Sequence, residues 1–346
     1  MALWTDIVDP ATLTGFVRAD LADYEANRST LAAFLPNQTI NDIIVRFSSG
    51  GAGLVDAAMY RSYDAETRIQ SGPAAQRQTV ELPPLGSKTR VSEYDRLRSI
   101  GADSPEAVLT SIERVAVQRS RAVADRLELA RGVALTTGTV TINENEFVAT
   151  ADFGRAPGHT VTAGTLWSAG SPTPLSDLAG WTQTYIDANG QAPGAMLMST
   201  AGITALQRTA DFRTSAVQLG GTLPGMISVD GVNQVLSGFG LPPIVRYDRN
   251  VRVAGTTQRV IAANKVILLP PPVAIDDAEG TDLGGTIWGR TLESMEPNYG
   301  LTATDQPGIV VGAFKDDDPL SVWVRSAAIG LPILSNPNLS FCATVL

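Results

Sequence analysis

A single long helix is the sequence feature that most restricts the possible folds of this chain. Pro105 suits the first helical turn, Ser104 can cap free backbone N–H groups, and Gly138 suits a left-handed C-terminal cap. Apolar residues recur between them with the period of one helical face: Val108, Ile112, Val115, Ala122, Val123, Leu127, Ala130 and Ala134. Charged residues occupy much of the remaining surface: Glu113, Arg114, Arg119, Arg121, Asp125, Arg126, Glu128 and Arg131. At about 1.5 Å per residue the helix would be roughly 50 Å long, and without sustained heptads it is predicted to be a single spine.

The rest of the chain divides into segments of different character. Residues 1–45 contain one short amphipathic helix and an apolar patch at 31–35, and are predicted to be an arm without a core of its own. Residues 46–100 lack a helical period and predict a polar, extended hairpin. After the spine, the sequence predicts a hairpin at 139–148, a linker at 156–174, helices at 175–188 and 199–209, and strands at 195–198, 243–247, 265–269, 287–291, 309–314 and 321–334.

Composition excludes several classes of protein. The 346 residues are 44% apolar and 18% charged, which is typical of a folded chain with a sizeable core. The longest apolar runs, such as residues 266–269, are far too short to cross a bilayer. Acidic residues near the N-terminus, including Asp6 and Asp9, are unlike a signal peptide, so we do not expect secretion. The net charge of −9 argues against a protein that binds nucleic acid by neutralising phosphates.

The residues that could carry catalysis or hold a ligand predict no site. His159 is the only histidine and is predicted to be a solvated loop residue, because a zinc site or a catalytic triad needs partners that the sequence lacks. Cys342 lies in an apolar tail and is predicted to be a buried hydrophobic residue. Asp316–Asp318 are predicted to form a solvated turn between two strands. Gly51-Ala52-Gly53 predicts a hinge. We therefore expect no catalytic, cofactor-binding or metal-binding residue, and replacing His159 or the three aspartates should change stability by no more than about 0.5 kcal/mol.

A series of short motifs follows the order of a known family. Leu135-Thr136-Thr137-Gly138 ends the spine helix, and Asp152-Phe153-Gly154-Arg155 and Gly164-Thr165-Leu166-Trp167 come after the hairpin. Further motifs lie at residues 60–66, 174–178, 195–199, 326–334 and 336–337. In this order and spacing they resemble the major capsid proteins of lambda-like tailed bacteriophages, the phage major capsid protein E family.

The resemblance implies an α+β subunit with the tailed-phage major capsid fold, of the Hong Kong 97 type. Residues 1–45 would be the N-terminal arm and 46–100 the extended loop. Residues 101–174 would form the peripheral domain with the spine helix, 175–272 the axial domain, and 273–346 the return strands of the peripheral domain.

The resemblance also implies a structural function. Hexamers and pentamers of the subunit would form an icosahedral head shell around double-stranded DNA, assembled in the cytoplasm of the bacterial host, with no membrane contact. The implied partners are a scaffolding protein, a portal protein and a decoration protein, together with non-specific contact with packaged DNA. An acidic wall suits this role, because the shell should not grip the DNA that it encloses.

Two other functions compete with this interpretation. An encapsulin-type bacterial nanocompartment shell would share the architecture. A secreted carbohydrate-active enzyme with paired carboxylates is disfavoured by the 6% aromatic content and by the acidic N-terminus. In some capsids of this architecture a lysine of the loop is linked covalently to an asparagine of a neighbour. Lys88 is the only lysine before residue 265, but its partners cannot be located in the sequence, so we do not expect crosslinking.

Overall fold

The computed structural model describes residues 2–5, 8–49, 76–91, 105–144, 147–217, 223–277, 280–318 and 320–346. The helices of this part of the chain are α1 (Pro10–Ala26), α2 (Pro105–Thr137), α3 (Pro174–Asn189), α4 (Thr200–Arg208), α5 (Ala210–Ala216), α6 (Val229–Gly238) and α7 (Leu292–Met295). Short 3-10 turns lie at Leu31–Ala33, Pro157–His159, Pro297–Tyr299 and Pro337–Leu339. Among the helices described, none is long and apolar enough to span a membrane.

The strands are numbered in chain order and are mostly short. Those before α3 are β1 (Ala2–Leu3), β2 (Asn37–Thr39), β3 (Ile44–Ser49), β4 (Gln76–Glu81), β5 (Pro84–Val91), β6 (Thr139–Glu144), β7 (Phe147–Asp152) and β8 (Thr160–Thr162). Those after α3 are β9 (Ala195–Met198), β10 (Ile244–Arg246), β11 (Asn250–Val253), β12 (Thr256–Arg259), β13 (Lys265–Leu269), β14 (Gly284–Gly289), β15 (Val310–Asp317), β16 (Leu320–Leu334) and β17 (Phe341–Thr344).

The spine helix α2 has the ends that the sequence predicts. Gly138 follows it with a φ of +75° and donates its N–H to the Ala134 carbonyl at 2.8 Å, which completes a left-handed cap. Ile112, Val123 and Leu127 are buried in a core that also contains residues of β15 and β16. The prediction that this face packs against strands near the other end of the chain is therefore confirmed. The capping residue proposed at Ser104 lies outside the described residues.

Two of the sequence motifs meet at the C-terminal end of α2. The last carbonyl groups of a helix have no partner within it, and they attract positive charge. Arg155 supplies both needs, since its guanidinium donates to the carbonyls of Leu135 at 2.8 Å and Thr136 at 2.5 Å. Asp152 holds the turn by accepting the Gly154 N–H at 2.9 Å. The Asp152–Arg155 motif is thus a helix cap that joins the hairpin β6–β7 to the spine.

The first sheet is centred on the 15-residue strand β16. Its early residues pair with β15 and its late residues with β14, while β5 pairs along the opposite edge; Ile329 is opposite both Gly289 and Pro84. Strand β1 adds to β15 and β2 to β14, which makes six strands in all. Segments from both ends of the chain therefore share one sheet.

The second sheet has the order β10-β9-β13-β17-β8 and packs against α3 to α6. The helices and strands predicted between residues 175 and 272 are present within two residues of their predicted bounds. Two strands of the sheet come from outside that range, because β17 pairs with both β13 and β8. The expectation that residues 156–174 form a linker is wrong at β8, whose backbone completes the edge of this sheet.

The N-terminal segment is part of the subunit's own core. Leu13, Val17 and Leu21 of α1 are buried in the cluster that contains the spine face, and Leu31 and Leu35 are buried in the larger cluster around the second sheet. The prediction that residues 1–45 are an arm without a core of its own holds only in part: residues 8–45 have no separate core, but they pack into the core of the subunit itself. The apolar residues of this segment are too few to form a core alone, and those of α1 pack against the apolar face of α2.

The segment predicted as an extended hairpin, residues 46–100, contributes to two different sheets. Strands β3 and β4 form an isolated antiparallel pair, with Ile44 opposite Glu81, as an extended hairpin requires. Residues 50–75, which include the motif at 60–66, lie outside the described part. Strand β5 instead joins the first sheet. The range 46–100 therefore includes a strand of the main sheet as well as the hairpin.

Candidate functional site

The predicted surface position of His159 is wrong. Its side chain is 4% exposed, and its ring meets the edge of Phe341 at a centroid distance of 5.6 Å. Neither ring nitrogen has a hydrogen-bond partner among the described residues. Burial lowers the pKa of His159, and the positive charge of Arg155 lowers it further. The residue is thus a neutral, packed side chain, and its distance in sequence from β17 hid this environment.

The other predicted positions agree with the structure wholly or in part where it describes them. Cys342 is 1% exposed within β17, and burial raises the pKa of its thiol, so it is the buried residue that was predicted. The predicted solvated turn at Asp316–Asp318 is confirmed only for Asp318, which is exposed in the turn; Asp316 and Asp317 belong to β15 and pair with β16, and Asp316 is half-buried. Gly51-Ala52-Gly53 lies outside the described residues. Within the described ranges, no three His, Cys, Asp or Glu side chains are placed to hold a metal ion.

The most unusual polar site is a buried ionic junction around Arg131 on the spine helix. Arg131 is completely buried, and its guanidinium donates to Glu25, Glu128, Asn37 and Thr286 at 2.6–3.0 Å. Burial alone would lower the pKa of Arg131, but the carboxylates of Glu25 and Glu128 outweigh it and raise that pKa. Arg131 therefore remains positively charged, and its buried guanidinium is paired with two carboxylates.

Glu128 is the second completely buried charge of the junction. Its Oε1 accepts the Leu31 N–H at 2.8 Å and the Tyr247 hydroxyl at 2.6 Å, while its Oε2 accepts from Thr30 at 3.1 Å and from Arg131. Burial and the Glu128 carboxylate raise the pKa of Tyr247, so that this phenol remains a donor. One carboxylate thus fixes the end of the N-terminal segment and the second-sheet unit to the spine.

Further polar and charged side chains are hydrogen-bonded around the junction. Arg249, next to Tyr247, donates to Asp125 of the spine at 2.7 Å. Asp125 also accepts the hydroxyl of Tyr24 from α1 at 3.2 Å. On the other side, Asn37 of β2 accepts from the indole of Trp288 at 3.0 Å and donates to Glu25 at 2.9 Å. The buried groups are therefore connected into one network with good hydrogen-bond distances.

The arrangement suits a structural joint. It brings together α1, the residues before β2, the spine, β14 of the first sheet and the segment after β10. Removing one partner of such a buried ion pair strands an uncompensated charge, which typically costs about 3–5 kcal/mol. The network therefore penalises any separation of these parts strongly.

The sequence analysis placed Glu128 and Arg131 among the charged residues outside the apolar face of the spine, yet both side chains are completely buried. The sequence did contain a signal for their burial: apart from Glu128 and Arg131, all residues from Leu127 to Leu135 are apolar or glycine. A helix that is apolar all round is buried, so two opposite charges three residues apart within it must be paired. The partners on α1, β2 and the segment after β10 could not be identified in this way.

With this geometry, the chain can be compared with known proteins. The family model described as "Phage major capsid protein E" matches residues 34–345. The putative capsid protein of a prophage from E. coli CFT073 has 13% sequence identity and a TM-score of 0.65, covering 98% of this chain and 99% of its own. A phage-related protein from Bordetella bronchiseptica RB50 has 14% identity and a TM-score of 0.61, covering 96% of this chain and 95% of its own. No curated protein sequence matches the chain.

The two structures share the whole architecture over nearly the full length of both chains, which shows the fold even at low sequence identity. The tailed-phage major capsid fold expected from the motifs is confirmed. The family model covers the spine helix, both sheets apart from strand β1, and most residues of the ionic junction. This chain therefore belongs to the phage major capsid protein E family, whose members are structural proteins of the capsid shell and not enzymes.

Proposed function

We propose that hexamers and pentamers of this subunit form an icosahedral phage head around double-stranded DNA. Family membership already makes the protein a structural component of the virion capsid that assembles with copies of itself. The observation that carries the proposal is the match of the family model over residues 34–345. A closed icosahedral shell of one subunit type needs pentamers, because hexamers alone would make a flat sheet, and added hexamers enlarge the shell.

The ionic junction agrees with a subunit that must withstand force. A head shell must resist the pressure of packaged DNA, so its subunits cannot deform at internal joints. Arg131 and Glu128 tie the spine to α1, to the first sheet and to the second-sheet unit through fully buried bonds. We assign the arm to residues 1–45, the extended loop to 46–100, the peripheral domain to 101–174 and 273–346, and the axial domain to 175–272 with strands β8 and β17 added.

The proposed partners follow from the same role. A scaffolding protein, a portal protein and a decoration protein would act with the shell, and assembly would take place in the host cytoplasm. Contact with packaged DNA would be non-specific, in keeping with a chain of net charge −9. The subunit itself would have no catalytic, cofactor-binding or metal-binding site.

Electron microscopy of the purified recombinant protein tests the proposal. We expect closed particles tens of nanometres across with icosahedral symmetry. Particles that enclose a specific co-expressed enzyme in place of DNA would favour a nanocompartment shell, and a preparation that stays monomeric at every concentration and salt would contradict the proposal. Co-expression with candidate scaffolding and portal proteins then separates self-assembly from assisted assembly.

A further inference from the structure

A groove lined by arginines lies between α1, α2 and the hairpin β11–β12. It has a volume of about 590 Å³. Its described lining contains Tyr24 together with five arginines: Arg28, Arg119, Arg121, Arg126 and Arg252. Arg249 lies beside them, with its guanidinium 5.5 Å from the centre of the Tyr24 ring. Positive charges this close repel one another, so the groove favours a negatively charged group that can enter it.

Three of these six arginines are paired within the subunit. Arg121 pairs with Asp20, Arg126 with Glu144 and Arg249 with Asp125, at 2.6–2.7 Å. The other three, Arg28, Arg119 and Arg252, form no ion pair with any residue that the structure describes. The groove therefore has three positive charges for which no described residue supplies a carboxylate.

The unpaired arginines are ordered by contacts other than ion pairs. The Arg28 guanidinium stacks over the Tyr24 ring at 4.6 Å and donates to its hydroxyl at 3.3 Å. Arg252 donates from Nε to the Gly255 carbonyl at 3.1 Å. The Nε of Arg119 is buried and has no hydrogen-bond partner among the described residues. Since a buried N–H group is normally paired, Arg119 is placed for an acceptor that comes from outside the subunit.

The chemistry of the groove suits phosphate groups and not the bases of a nucleic acid. A guanidinium presents a planar fork of donors that matches two oxygens of one phosphate. Bases are usually bound by stacking on free aromatic rings. The Tyr24 ring is not free for this, because the guanidiniums of Arg28 and Arg121 already lie 4.6 Å and 4.9 Å from its centre. The groove is therefore suited to contact with a phosphate backbone that does not depend on base sequence.

The hairpin β11–β12 contributes a small, uncharged residue to the groove. Its two-residue turn has φ of 48° at Ala254 and 84° at Gly255, as in the type I′ turns that favour Asn or Asp at the first position. Ala254 is exposed and lines the groove, where its side chain is only a methyl group. A position whose backbone suits Asp thus holds a residue that leaves the positive charge of the groove undiminished.

We infer that the arginine groove binds phosphate groups of the packaged double-stranded DNA. This inference rests on the proposed function and names the residues that would make the non-specific contact with DNA. The contact is local, because the remainder of a chain of net charge −9 repels the same polyanion. It also explains why an acidic chain keeps three arginines without carboxylate partners in one groove.

Binding of a fluorescent DNA duplex of random sequence tests the inference. The full chain is kept too dilute to assemble, and binding is followed by fluorescence anisotropy at several salt concentrations. Arg28→Gln/Arg252→Gln should bind the duplex at least about tenfold more weakly than the wild type at low salt. The slope of log K against log salt should also decrease by about 0.9 for each arginine removed, because one phosphate fewer is neutralised.

A matched pair of variants at Ala254 adds charge to the groove without removing an arginine. Asn and Asp have side chains of nearly equal size, and both suit the left-handed backbone at this position. Ala254→Asp should bind the duplex at least about threefold more weakly than Ala254→Asn, because only Asp adds a negative charge. Thermal unfolding should show that both variants are folded, and equal affinities for DNA would contradict the inference.

Controls separate loss of the groove from loss of the fold. Arg208→Gln removes an exposed arginine of α4 that forms no ion pair in the described ranges and does not line the groove, so it should bind DNA like the wild type. Circular dichroism reports the folding of each variant. Wild-type affinity in Arg28→Gln/Arg252→Gln would overturn the inference, as would a wild type that binds no duplex at low salt.

Competition distinguishes the possible sources of the anion. Unlabelled duplex should displace the probe at a far lower phosphate concentration than inorganic phosphate does, because DNA supplies many linked phosphates. Equal displacement would assign the groove to free phosphate, and tighter binding of polyglutamate would assign it to an acidic protein; either result overturns the inference. Electron microscopy of the same proteins at assembling concentrations tests the proposed function separately. Shells formed by a chain that binds no duplex would overturn only the inference, whereas duplex binding by a chain that forms no shells would retain the DNA site and contradict the proposed function.

Discussion

At the scale of single residues, the unusual feature of this subunit is the number of charged and polar side chains in its core. Arg131 and Glu128 have no exposed surface, yet each has several hydrogen-bond partners. His159 is nearly as buried, but both of its ring nitrogens are without partners in the described part of the chain. Arg131 and Glu128 should stabilise the fold only while both are present, and His159 should make the stability of the fold depend on pH.

Replacing Arg131 by Met should lower the free energy of unfolding by about 3–5 kcal/mol, because Glu25 would remain buried without a counter-charge and Glu128 would keep only Arg249, at 3.5 Å. The matched control is Arg121→Met, which breaks an ion pair with Asp20 whose arginine side chain is 40% exposed. That change should cost less than about 1 kcal/mol. Urea denaturation of both variants provides the measurement, and equal losses would refute the assignment of the junction as a buried joint.

Stability should decline as the pH falls below about 6.5, the ordinary pKa of histidine. The pKa of His159 is lowered in the folded state, so the unfolded chain binds more protons in this range and is stabilised relative to the folded one. Well above pH 6.5 the histidine is neutral in both states and causes no loss of stability. His159→Leu should flatten the decline in thermal unfolding profiles, and an unchanged profile would mean that other groups cause it. The structure also corrects the earlier expectation for His159→Ala, which should now exceed about 0.5 kcal/mol because it leaves a cavity.

At the scale of elements, the spine helix depends on how it ends and on which face it buries. Gly138 ends it with a left-handed residue, and Arg155 satisfies its last carbonyls. Its apolar face packs against β15 and β16, whereas Arg114 is exposed and Val115 only partly buried. These features can be tested separately.

Gly138 and Gly154 form a matched pair for the cost of the helix end. Both have φ near +75°, but a Cβ on Gly138 would lie 2.7 Å from the Arg155 Cβ, whereas a Cβ on Gly154 would meet nothing within 4 Å. Gly154→Ala should therefore cost about 1–2 kcal/mol from backbone strain alone. Gly138→Ala should cost at least about 1 kcal/mol more from the clash. Thermal unfolding of the two variants would show whether the Arg155 contact matters.

A charge on the buried face of the spine should prevent folding of the subunit. Ile112→Asp places an unpaired carboxylate in the core and should cost more than about 4 kcal/mol, seen as loss of soluble protein. Arg114→Asp on the exposed side should be mild. If the Ile112 variant were folded and soluble but unable to assemble, this face would belong to an interface between subunits.

At the scale of the whole molecule, the N-terminal segment belongs to the subunit rather than to its neighbours. We expect trypsin to cleave slowly at Arg18 in free subunits, because α1 packs on the spine through Leu13, Val17 and Leu21. Val17→Asp should unseat the helix and accelerate this cleavage, as followed by mass spectrometry. Rapid loss of the first 45 residues from free wild-type subunits would mean that this segment is ordered only after assembly.

The sequence by itself determined the features that depend on local chemistry. The start at Pro105 and the stop at Gly138 follow from backbone preferences of single residues, and the apolar period identified the buried face of the spine. The helices and strands of 175–272 were recognisable for the same reason. The order and spacing of the motifs around Leu135 and Asp152 indicated the family, and in the structure these two motifs form one helix cap.

Only the tertiary structure decided which distant segments meet. Strand β17 joins the second sheet and thereby buries His159, although nothing local to either segment indicates this pairing. The apolar surroundings of Glu128 and Arg131 in the sequence indicate burial, but only the structure shows that α1 and the Tyr247 segment cover them with complementary polar groups. Pairing across a hundred or more residues depends on shape and hydrogen bonding in three dimensions, which residue preferences along the chain do not specify.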